Sequence, residues 1–300
     1  YMLYSTRDCC SDRSDYEVYV ARAEKITGPY EKYQNNPILK GDGRDVQSCG
    51  HGTMTETPDG RMFYICHSFM KGTDFYLGRQ PMMQEIVLTD DGWIRFKTGQ
   101  TTKTKQKTPF GTSVKLQNVF YDDFSSAVLN PGWTGSIQSY RQRPMPSGGS
   151  LLLPSAAQGA GEYSSALSRR PSSADYNYET HMACGGNSLR GLAYISNAAN
   201  MVVFGTERGK LVIRQVKDGH ASDLFAGQYD GDDIWLGISV DDVKTLRFFY
   251  SSDGKKWHSV DDLVTNVFAS VRKSYYKPGI INVGHGDSNA TFYEFKMTDK

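Results

Sequence analysis

A histidine between two glycines, and an arginine further along the chain, are the residues whose types could do chemistry. His51 stands between Gly50 and Gly52, and glycine lets a backbone pass close to neighbouring groups. Arg79 carries a planar guanidinium that can bind sugar hydroxyls or orient a carboxylate through two parallel donors. The ordinary alternatives are a hydrogen-bonded histidine under a loop and a solvated or salt-bridged arginine. The sequence predicts a buried His51 on the first strand of a hairpin, with Arg79 on the next strand but one.

The segments that position these residues read as β-strands joined by tight turns. Aromatic and β-branched runs of roughly four to eight residues recur, and no long amphipathic helical window interrupts them. Asp-Gly pairs tolerate the positive φ of hairpin turns, and they occur at residues 59–60, 91–92 and 253–254. The sequence therefore predicts an all-β chain.

Two parts of the chain differ in pattern. Residues 3–4 with 19–22 resemble residues 63–64 with 76–79, and a repeat of about sixty residues is typical of radially stacked blades. Residues 98–117 are rich in Lys, Thr and Gln and predict a linker. Strand-like runs at roughly ten-residue spacing follow, as in a β-sandwich. In one of them apolar residues alternate with more polar positions, which predicts that one face of the strand packs in the core and the other faces solvent. The apolar residues are Ile234, Leu236, Ile238 and Val240.

Composition excludes several classes of protein. The 300 residues are 38% hydrophobic and 12% aromatic, which is enough for a sizeable core. The 34 basic and 33 acidic residues nearly cancel, so charge gives no reason to expect nucleic acid or an anionic membrane and fits a neutral ligand such as a sugar. No run approaches the ~18 apolar residues of a membrane span. The five cysteines contain no CxxC pair and leave one over, which suggests neither a zinc site nor a full disulfide framework.

Several short motifs in one order resemble glycoside hydrolase family 43, the five-bladed β-propellers that cleave xylosides, arabinosides and related pentose linkages. In the first half the motifs are residues 3–5, 19–22, 28–31, 36–39, 48–60, 76–80 and 90–93. The second half is similar to the concanavalin-like β-sandwich that follows the propeller in many β-xylosidases of this family, at residues 122–124, 129–133, 168–171, 191–194 and 249–257. The resemblance implies a partial five-bladed β-propeller, the last blades only, at 1–97, a linker at 98–117 and the concanavalin-like β-sandwich at 118–300.

The resemblance also implies an activity and a site. Family 43 enzymes hydrolyse O-glycosidic bonds in plant polysaccharides by inversion, with one carboxyl group as acid and another as base. Both are expected upstream of Tyr1, so we expect this chain alone to be inactive. The expected substrate-binding residues are Arg79, His51 and Phe75. His51 is further expected to meet a structural calcium ion at the propeller centre through water, because calcium prefers oxygen ligands. The implied partner is a pentose-containing oligosaccharide or polysaccharide, and the implied location is secreted or periplasmic.

An interpretation of a different class is a noncatalytic carbohydrate-binding or structural sandwich with a blade remnant attached. The local acids are expected to be solvated charges, because their spacing does not place two of them across a sugar ring; they are Asp8, Asp12, Asp15 and Glu17. For any one of Phe69, Phe75 and Trp133, packing in the core or between domains is expected more often than a sugar contact, and residues 251–257 are expected to form a hairpin turn with a packed Trp257. Residues 130–146 could supply a loop that shapes the pocket.

Overall fold

Strands form the regular secondary structure wherever the chain is described, as the sequence predicts. The structure is a computed structural model that describes residues 1–11, 13–71, 79–104, 119–135, 144–155, 166–243, 245–266, 276–284 and 289–300. The chain forms two compact units, Tyr1–Lys115 and Leu116–Lys300. Within those described ranges, no helix has the length and apolar character that a membrane crossing requires.

The first unit contains two small antiparallel sheets. Its strands are β1 (Met2–Thr6), β2 (Glu17–Arg22), β3 (Glu31–Lys32), β4 (Val46–Glu56), β5 (Met62–Met70), β6 (Gln80–Leu88) and β7 (Ile94–Phe96). One sheet has the order β1-β2-β3, and the other has the order β4-β5-β6-β7. In the second sheet each strand pairs with the next along the chain, so β4 and β7 form its two edges.

Two turns of this unit share a Thr-x-Asp-Gly pattern. They cover residues 57–60, between β4 and β5, and 89–92, between β6 and β7. In each the carboxylate of the aspartate accepts a hydrogen bond from the threonine hydroxyl. Only the glycines have positive φ, +81° at Gly60 and +73° at Gly92. The predicted hairpins are confirmed, and the aspartate stabilises each turn through its side chain while the glycine supplies the left-handed conformation.

The core of the first unit contains two free cysteines. Cys49 on β4 and Cys66 on β5 are buried together with apolar residues of both sheets. A hydrogen bond from the Cys49 thiol to Cys66, together with burial, raises the pKa of Cys49 above its ordinary range. A disulfide joins the chain neighbours Cys9 and Cys10, and this is a local bridge without a wider framework among the described cysteines.

Two larger antiparallel sheets form the second unit. Its strands are β8 (Val119–Asp122), β9 (Thr134–Gly135), β10 (Met145–Pro146), β11 (Leu151–Pro154), β12 (Ala166–Ser168), β13 (Tyr176–Ala183), β14 (Leu189–Asn197), β15 (Asn200–Glu207), β16 (Lys210–Lys217), β17 (His220–Gln228), β18 (Asp233–Asp241), β19 (Thr245–Ser251), β20 (His258–Asn266), β21 (Lys277–Val283) and β22 (Asn289–Asp299). One sheet has the order β10-β11-β22-β13-β18-β19-β20, with β8 also paired to β22. The other has the order β17-β16-β15-β14-β21-β12-β9.

The larger of two apolar clusters in the described part of this unit draws side chains from both of these sheets. The alternation predicted in β18 is confirmed, because Ile234, Leu236, Ile238 and Val240 are all buried in this core. Trp235 and Ser239 point to the other face and are half-buried. Gly237 departs from the alternation, since the ring of Trp257 lies against it and leaves no room for a side chain.

Trp133 belongs to this core, as the sequence predicts. It is 8% exposed, and its Nε1 donates to the Asp122 carboxylate at 2.8 Å. Its ring lies 4.7 Å from that of Phe295 and 5.3 Å from that of Phe120, both in edge-on geometry. The tryptophan therefore fixes the segment after β8 against β22 and is not available to a sugar.

The turn between β19 and β20 has the predicted form. The Asp253 carboxylate accepts the backbone N–H groups of Lys255 and Lys256, both at 2.8 Å, and the Ser251 hydroxyl at 3.0 Å. These hydrogen bonds lower the pKa of Asp253 to about 2. Gly254 has a φ of +68° and closes the hairpin.

Only the beginning of the predicted linker is described. The backbone N–H of Thr102 donates to the Lys40 carbonyl at 3.0 Å, and Thr102 is buried. The Gln100 side chain donates to the Asn35 and Pro37 carbonyls. Residues 98–104 therefore pack on the first unit. Residues 105–118 lie outside the described residues, and the boundaries 1–97, 98–117 and 118–300 stay a prediction.

Candidate functional site

His51 lies on β4 at a point where the strand leaves its regular pairing with β5. The register shifts between Gly50 and Thr53, and His51 has a φ of +54°, a conformation that histidine tolerates better than most residues. Its backbone N–H donates to the Ser5 hydroxyl at 3.0 Å. The side chain is exposed, so the prediction of a buried histidine is wrong. The reason is that β4 is a sheet edge, and no described strand covers the bulge.

The two glycines beside His51 are required by aromatic rings. A Cβ at Gly50 would overlap the ring of Tyr16, and a Cβ at Gly52 would overlap the ring of Tyr64. The backbone N–H of Gly52 also donates to the Tyr64 hydroxyl at 2.9 Å. The prediction that these glycines permit a close approach is confirmed, and the approach is to two tyrosines.

His67 on β5 is a member of this site that the sequence analysis missed. Its ring lies 6.1 Å from that of His51 and stacks on Tyr16 at 5.8 Å. Both ring nitrogens are buried and have no hydrogen-bond partner among the described residues. Burial, followed by the positive charges of Arg79 and His51, lowers the pKa of His67 from 6.5 to about 4. His67 is therefore neutral at pH 7 and offers an acceptor nitrogen.

Counting back from the hairpin turn could have identified His67. Glu56 pairs with Met62 and Thr55 with Phe63, and the same register continued along β4 would set His67 opposite His51. The bulge moves it by one position, to face Gly50. A bulge cannot be placed from residue types alone, but the neighbourhood follows from the turn.

Arg79 precedes β6 directly and has an exposed position. Its charge contributes to the lowered pKa of His67, so the Arg79 guanidinium lies within electrostatic range of that imidazole. The sequence predicts Arg79 on the next strand but one after that of His51, and in the structure Arg79 immediately precedes that strand, β6. Phe75, the third expected substrate-binding residue, lies outside the described residues. We call His51, His67 and Arg79 the edge cluster.

The edge cluster has the donors and acceptors for hydroxyl groups but a poor set for a metal ion. Calcium prefers oxygen ligands, and the cluster supplies two imidazoles, a guanidinium and the Ser5 hydroxyl. No group of three His, Cys, Asp or Glu side chains in the described part of the chain could hold a metal ion. The residues present therefore do not form a first coordination shell, and His51 could reach calcium only through water.

The nearby acidic residues are engaged with each other and with Arg7. The Arg7 guanidinium pairs with Asp15 at 3.3 Å and with Glu17 at 2.8 Å. The backbone N–H of Asp8 donates to the Asp15 carboxylate at 3.0 Å. Asp15 is about half exposed, as expected of a solvated charge, whereas the Glu17 side chain is only 15% exposed, so the prediction is wrong for Glu17. Asp12 lies outside the described residues. Phe69 is fully buried, as expected for packing.

The fold is that of solved glycoside hydrolases. The GH43 BlXynB protein of Bacillus licheniformis superposes with a TM-score of 0.82 at 20% identity, over 95% of this chain and 60% of that one. The xylan beta-1,4-xylosidase of Bacillus halodurans superposes with a TM-score of 0.74 at 21% identity, over the same shares. At these identities the likeness establishes an all-β fold of several antiparallel sheets.

Sequence comparison supplies the family. Residues 1–94 match the family model described as Glycosyl hydrolases family 43. The "Xylosidase/arabinosidase 43B" of Humicola insolens is 35% identical over 85 residues, 26% of this chain and 16% of the relative. The "Xylan 1,3-beta-xylosidase" of a Vibrio species is 24% identical over 284 residues, 82% of this chain and 51% of the relative. Residues 1–94 thus match glycoside hydrolase family 43, and the chain spans about half the length of the Vibrio relative.

The depressed pKa of His67 predicts a specific pH dependence of stability. The unfolded chain takes up a proton on His67 near pH 6.5, whereas the folded chain does so only near pH 4. Between these values the unfolded state binds more protons, so the free energy of unfolding falls as the pH is lowered from 6.5 to 4. Above pH 6.5 this residue contributes no pH dependence.

The variant His67→Phe keeps a ring against Tyr16 and removes the titration. Urea unfolding across this pH range should show a flatter decline for the variant than for the unaltered protein. His220→Phe is the matched control, because His220 is exposed on β17 in the second unit. Equal declines in the two variants would contradict the burial of the His67 ring nitrogens.

Proposed function

We propose that this chain is part of a glycosidase that hydrolyses xylosides or arabinosides with inversion of the anomeric configuration. The observation that carries the proposal is the edge cluster within the family 43 segment, where the rings of His51 and His67 lie 6.1 Å apart and the exposed Arg79 acts electrostatically on His67. A neutral polyhydroxylated ligand suits this cluster, because the guanidinium and imidazole groups of the cluster bind hydroxyls. The net charge of the chain, only +1, also fits a neutral ligand. Names of the relatives, which include xylosidases, support a pentose as the sugar.

Inversion needs two carboxyl groups about 6.5 to 9.5 Å apart. One protonates the leaving oxygen as the glycosidic C–O bond breaks. The other takes a proton from the water whose oxygen bonds to the anomeric carbon. The proposal assigns both to the part of the relatives' length that this chain does not cover, and we therefore propose that the chain by itself is inactive.

Within this scheme the edge cluster binds and orients the sugar. Arg79 donates to sugar hydroxyls and holds a carboxylate in place with its planar fork. His51 donates or accepts at a second hydroxyl. His67 stays neutral, so that it adds no positive charge to that of Arg79. Phe75 is proposed as an apolar wall of the same subsite.

The finer fold assignment and the ion are part of the proposal. The two small sheets are proposed as the last blades of a five-bladed propeller, and the two packed sheets of the second unit as a concanavalin-like sandwich. Calcium is proposed at the propeller centre, where His51 would contact it only through water. A polysaccharide substrate and a secreted or periplasmic location complete the proposal.

The test is the product stereochemistry of the complete protein. Aryl β-xylosides and aryl α-arabinofuranosides are supplied, and proton NMR follows the first anomer that each releases. Inversion predicts that the α-anomer of xylose appears first from the β-xyloside. First release of the β-anomer would overturn the inverting assignment. Binding of both sugars without hydrolysis by the complete protein would favour the noncatalytic carbohydrate-binding interpretation.

A further inference from the structure

A disulfide between chain neighbours lies in the first unit, in the segment that joins β1 to β2. Cys9 and Cys10 are bridged, and Cys10 is exposed while Cys9 is half-buried. We call residues 7–16 the bridge loop. The other cysteines of the chain are free thiols, and all of them are buried. A thiol in solution can therefore react with the bridge, because exposed disulfides are the ones that exchange with thiols.

The bridge fixes a tight turn in the bridge loop. Bonding two neighbouring side chains closes a small ring through the peptide bond between them, which removes rotations that each residue would otherwise have. The Asp8 carboxylate accepts the backbone N–H of Cys10 at 3.1 Å and the Ser11 hydroxyl. Asp8 also donates its own backbone N–H to the Asp15 carboxylate at 3.0 Å. These hydrogen bonds hold the two halves of the bridge loop together while the ring stays closed.

Ser14 connects this turn to the beginning of β4. Its hydroxyl donates to the Asp8 carbonyl at 2.8 Å and lies 2.8 Å from the Ser48 hydroxyl. Its carbonyl accepts a hydrogen bond from the Gln47 side chain at 3.0 Å. Ser14 and Ser48 are both buried, so water does not compete for these contacts. A change in the turn at Asp8 therefore acts directly on β4.

Tyr16 connects the bridge loop to the edge cluster. Its carbonyl accepts the backbone N–H of Cys49 at 3.1 Å, and its ring stacks on that of His67 at 5.8 Å. The same ring fills the space that a side chain at Gly50 would take, next to His51. The bridge loop thus supports both the strand that carries one imidazole and the ring of the other.

We propose that the Cys9–Cys10 bridge is a thiol-exchange site, at which a low-molecular-weight thiol such as glutathione opens the bridge loop and loosens the edge cluster. The thiolate of one glutathione attacks the exposed Cys10 sulfur, the S–S bond breaks, and Cys9 leaves as a thiolate that takes up a proton. A second glutathione then attacks the glutathione sulfur of this mixed disulfide and releases Cys10. The protein disulfide is reduced while glutathione is oxidised to glutathione disulfide, and an excess of glutathione disulfide reverses both steps.

Opening the ring acts on the edge cluster through the contacts of the bridge loop. Reduction restores rotational freedom to Cys9 and Cys10, which opposes the ordered hydrogen bonds around Asp8. Weaker support of Tyr16 then lowers the affinity of the edge cluster for its ligand. Only this last consequence rests on the proposed function, because the exchange site itself involves no sugar.

The first measurement labels thiols of the folded 300-residue chain with iodoacetamide, before and after incubation with reduced glutathione. Before incubation the chain should take up little label, because its free thiols are buried; they are Cys49, Cys66 and Cys184. After incubation, mass spectrometry of the tryptic peptide 8–13 should show label or glutathione on its two cysteines. A bridge that glutathione leaves unmodified in the folded chain would overturn the thiol-exchange site.

The second measurement follows amide hydrogen exchange by NMR at Asp8 and Cys49, whose N–H groups donate to Asp15 and Tyr16. Reduction should speed exchange at both amides by about 10-fold, as expected when support comparable to one hydrogen bond is lost, and leave the amides of β18 unchanged.

The double variant Cys9→Ser with Cys10→Ser should exchange fast at these two amides with or without glutathione. Cys184→Ser, in the second unit, is the matched control and should respond to glutathione as the unaltered chain does. Unchanged exchange at Cys49 after reduction, or in the double variant, would overturn the loosening of the edge cluster. Neither measurement contains a sugar, so a negative result leaves the proposed function intact, and a complete protein that does not hydrolyse glycosides leaves the exchange site intact.

Discussion

Replacing Arg79 by alanine is expected to lower kcat/KM of the complete enzyme for aryl xylosides by about 10- to 1,000-fold. The guanidinium is proposed to hold hydroxyls of the sugar whose glycosidic bond breaks. Those contacts fix the orientation of the sugar toward the reacting carboxyl groups, so their loss affects the transition state more than the ground state. Stability should change little, because Arg79 is exposed. Steady-state kinetics together with thermal unfolding separates the two effects.

Arg79→Lys should restore little of this activity, because an ammonium cannot reproduce the planar fork. Arg61→Ala is the matched control, since Arg61 pairs with Glu85 in the same sheet and lies outside the edge cluster. His51→Ala should lower both activity and thermal stability, with the stability difference shrinking after calcium chelation. Unchanged kcat/KM in the Arg79 and His51 variants, with calcium binding intact, would remove both residues from the substrate site.

Replacing Phe295 by alanine is expected to destabilise the second unit by about 3–5 kcal/mol. Phe295 is fully buried on β22, the strand that pairs with β8, β11 and β13. Its ring contacts that of Trp133 at 4.7 Å and that of Tyr178 at 6.2 Å. Truncation leaves a cavity at the centre of the sheet, where the paired strands on both sides prevent collapse.

Calorimetry of the 300-residue chain measures this effect. The transition of the second unit should move down by roughly 10 °C, given about 2–4 °C per kcal/mol for a unit of this size. Val128→Ala is the control, because Val128 is 74% exposed and its loss should matter little. If Phe295→Ala lowered the transition temperature by no more than Val128→Ala does, the core around Trp133 would not be packed as described.

Much of the fold was predictable because it depends on local patterns. Alternation along β18 marks its buried face, and the Asp-Gly turns mark hairpins, since glycine supplies the left-handed conformation there. The motifs around Gly50, His51 and Gly52 led to the family that residues 1–94 match. The position of Arg79 beside β6 also followed from counting strands.

The predictions that failed concern contacts between residues that are far apart in the sequence. The exposure of His51 results from the edge position of β4 and from a bulge, neither of which residue types reveal. His67 was overlooked because its significance comes from Tyr16 and Arg79, which other segments supply.

The bulge in β4 makes the segment around His51 easier to open than the rest of the sheet. The backbone N–H groups of His51 and Gly52 donate to the side-chain hydroxyls of Ser5 and Tyr64, and not to the backbone carbonyls of a paired strand. Breaking those two bonds opens the segment while the core of the sheet stays closed, so the free energy of local opening is smaller than that of global unfolding. Inactivation should therefore precede melting, and activity lost on storage is not evidence that the fold has been lost.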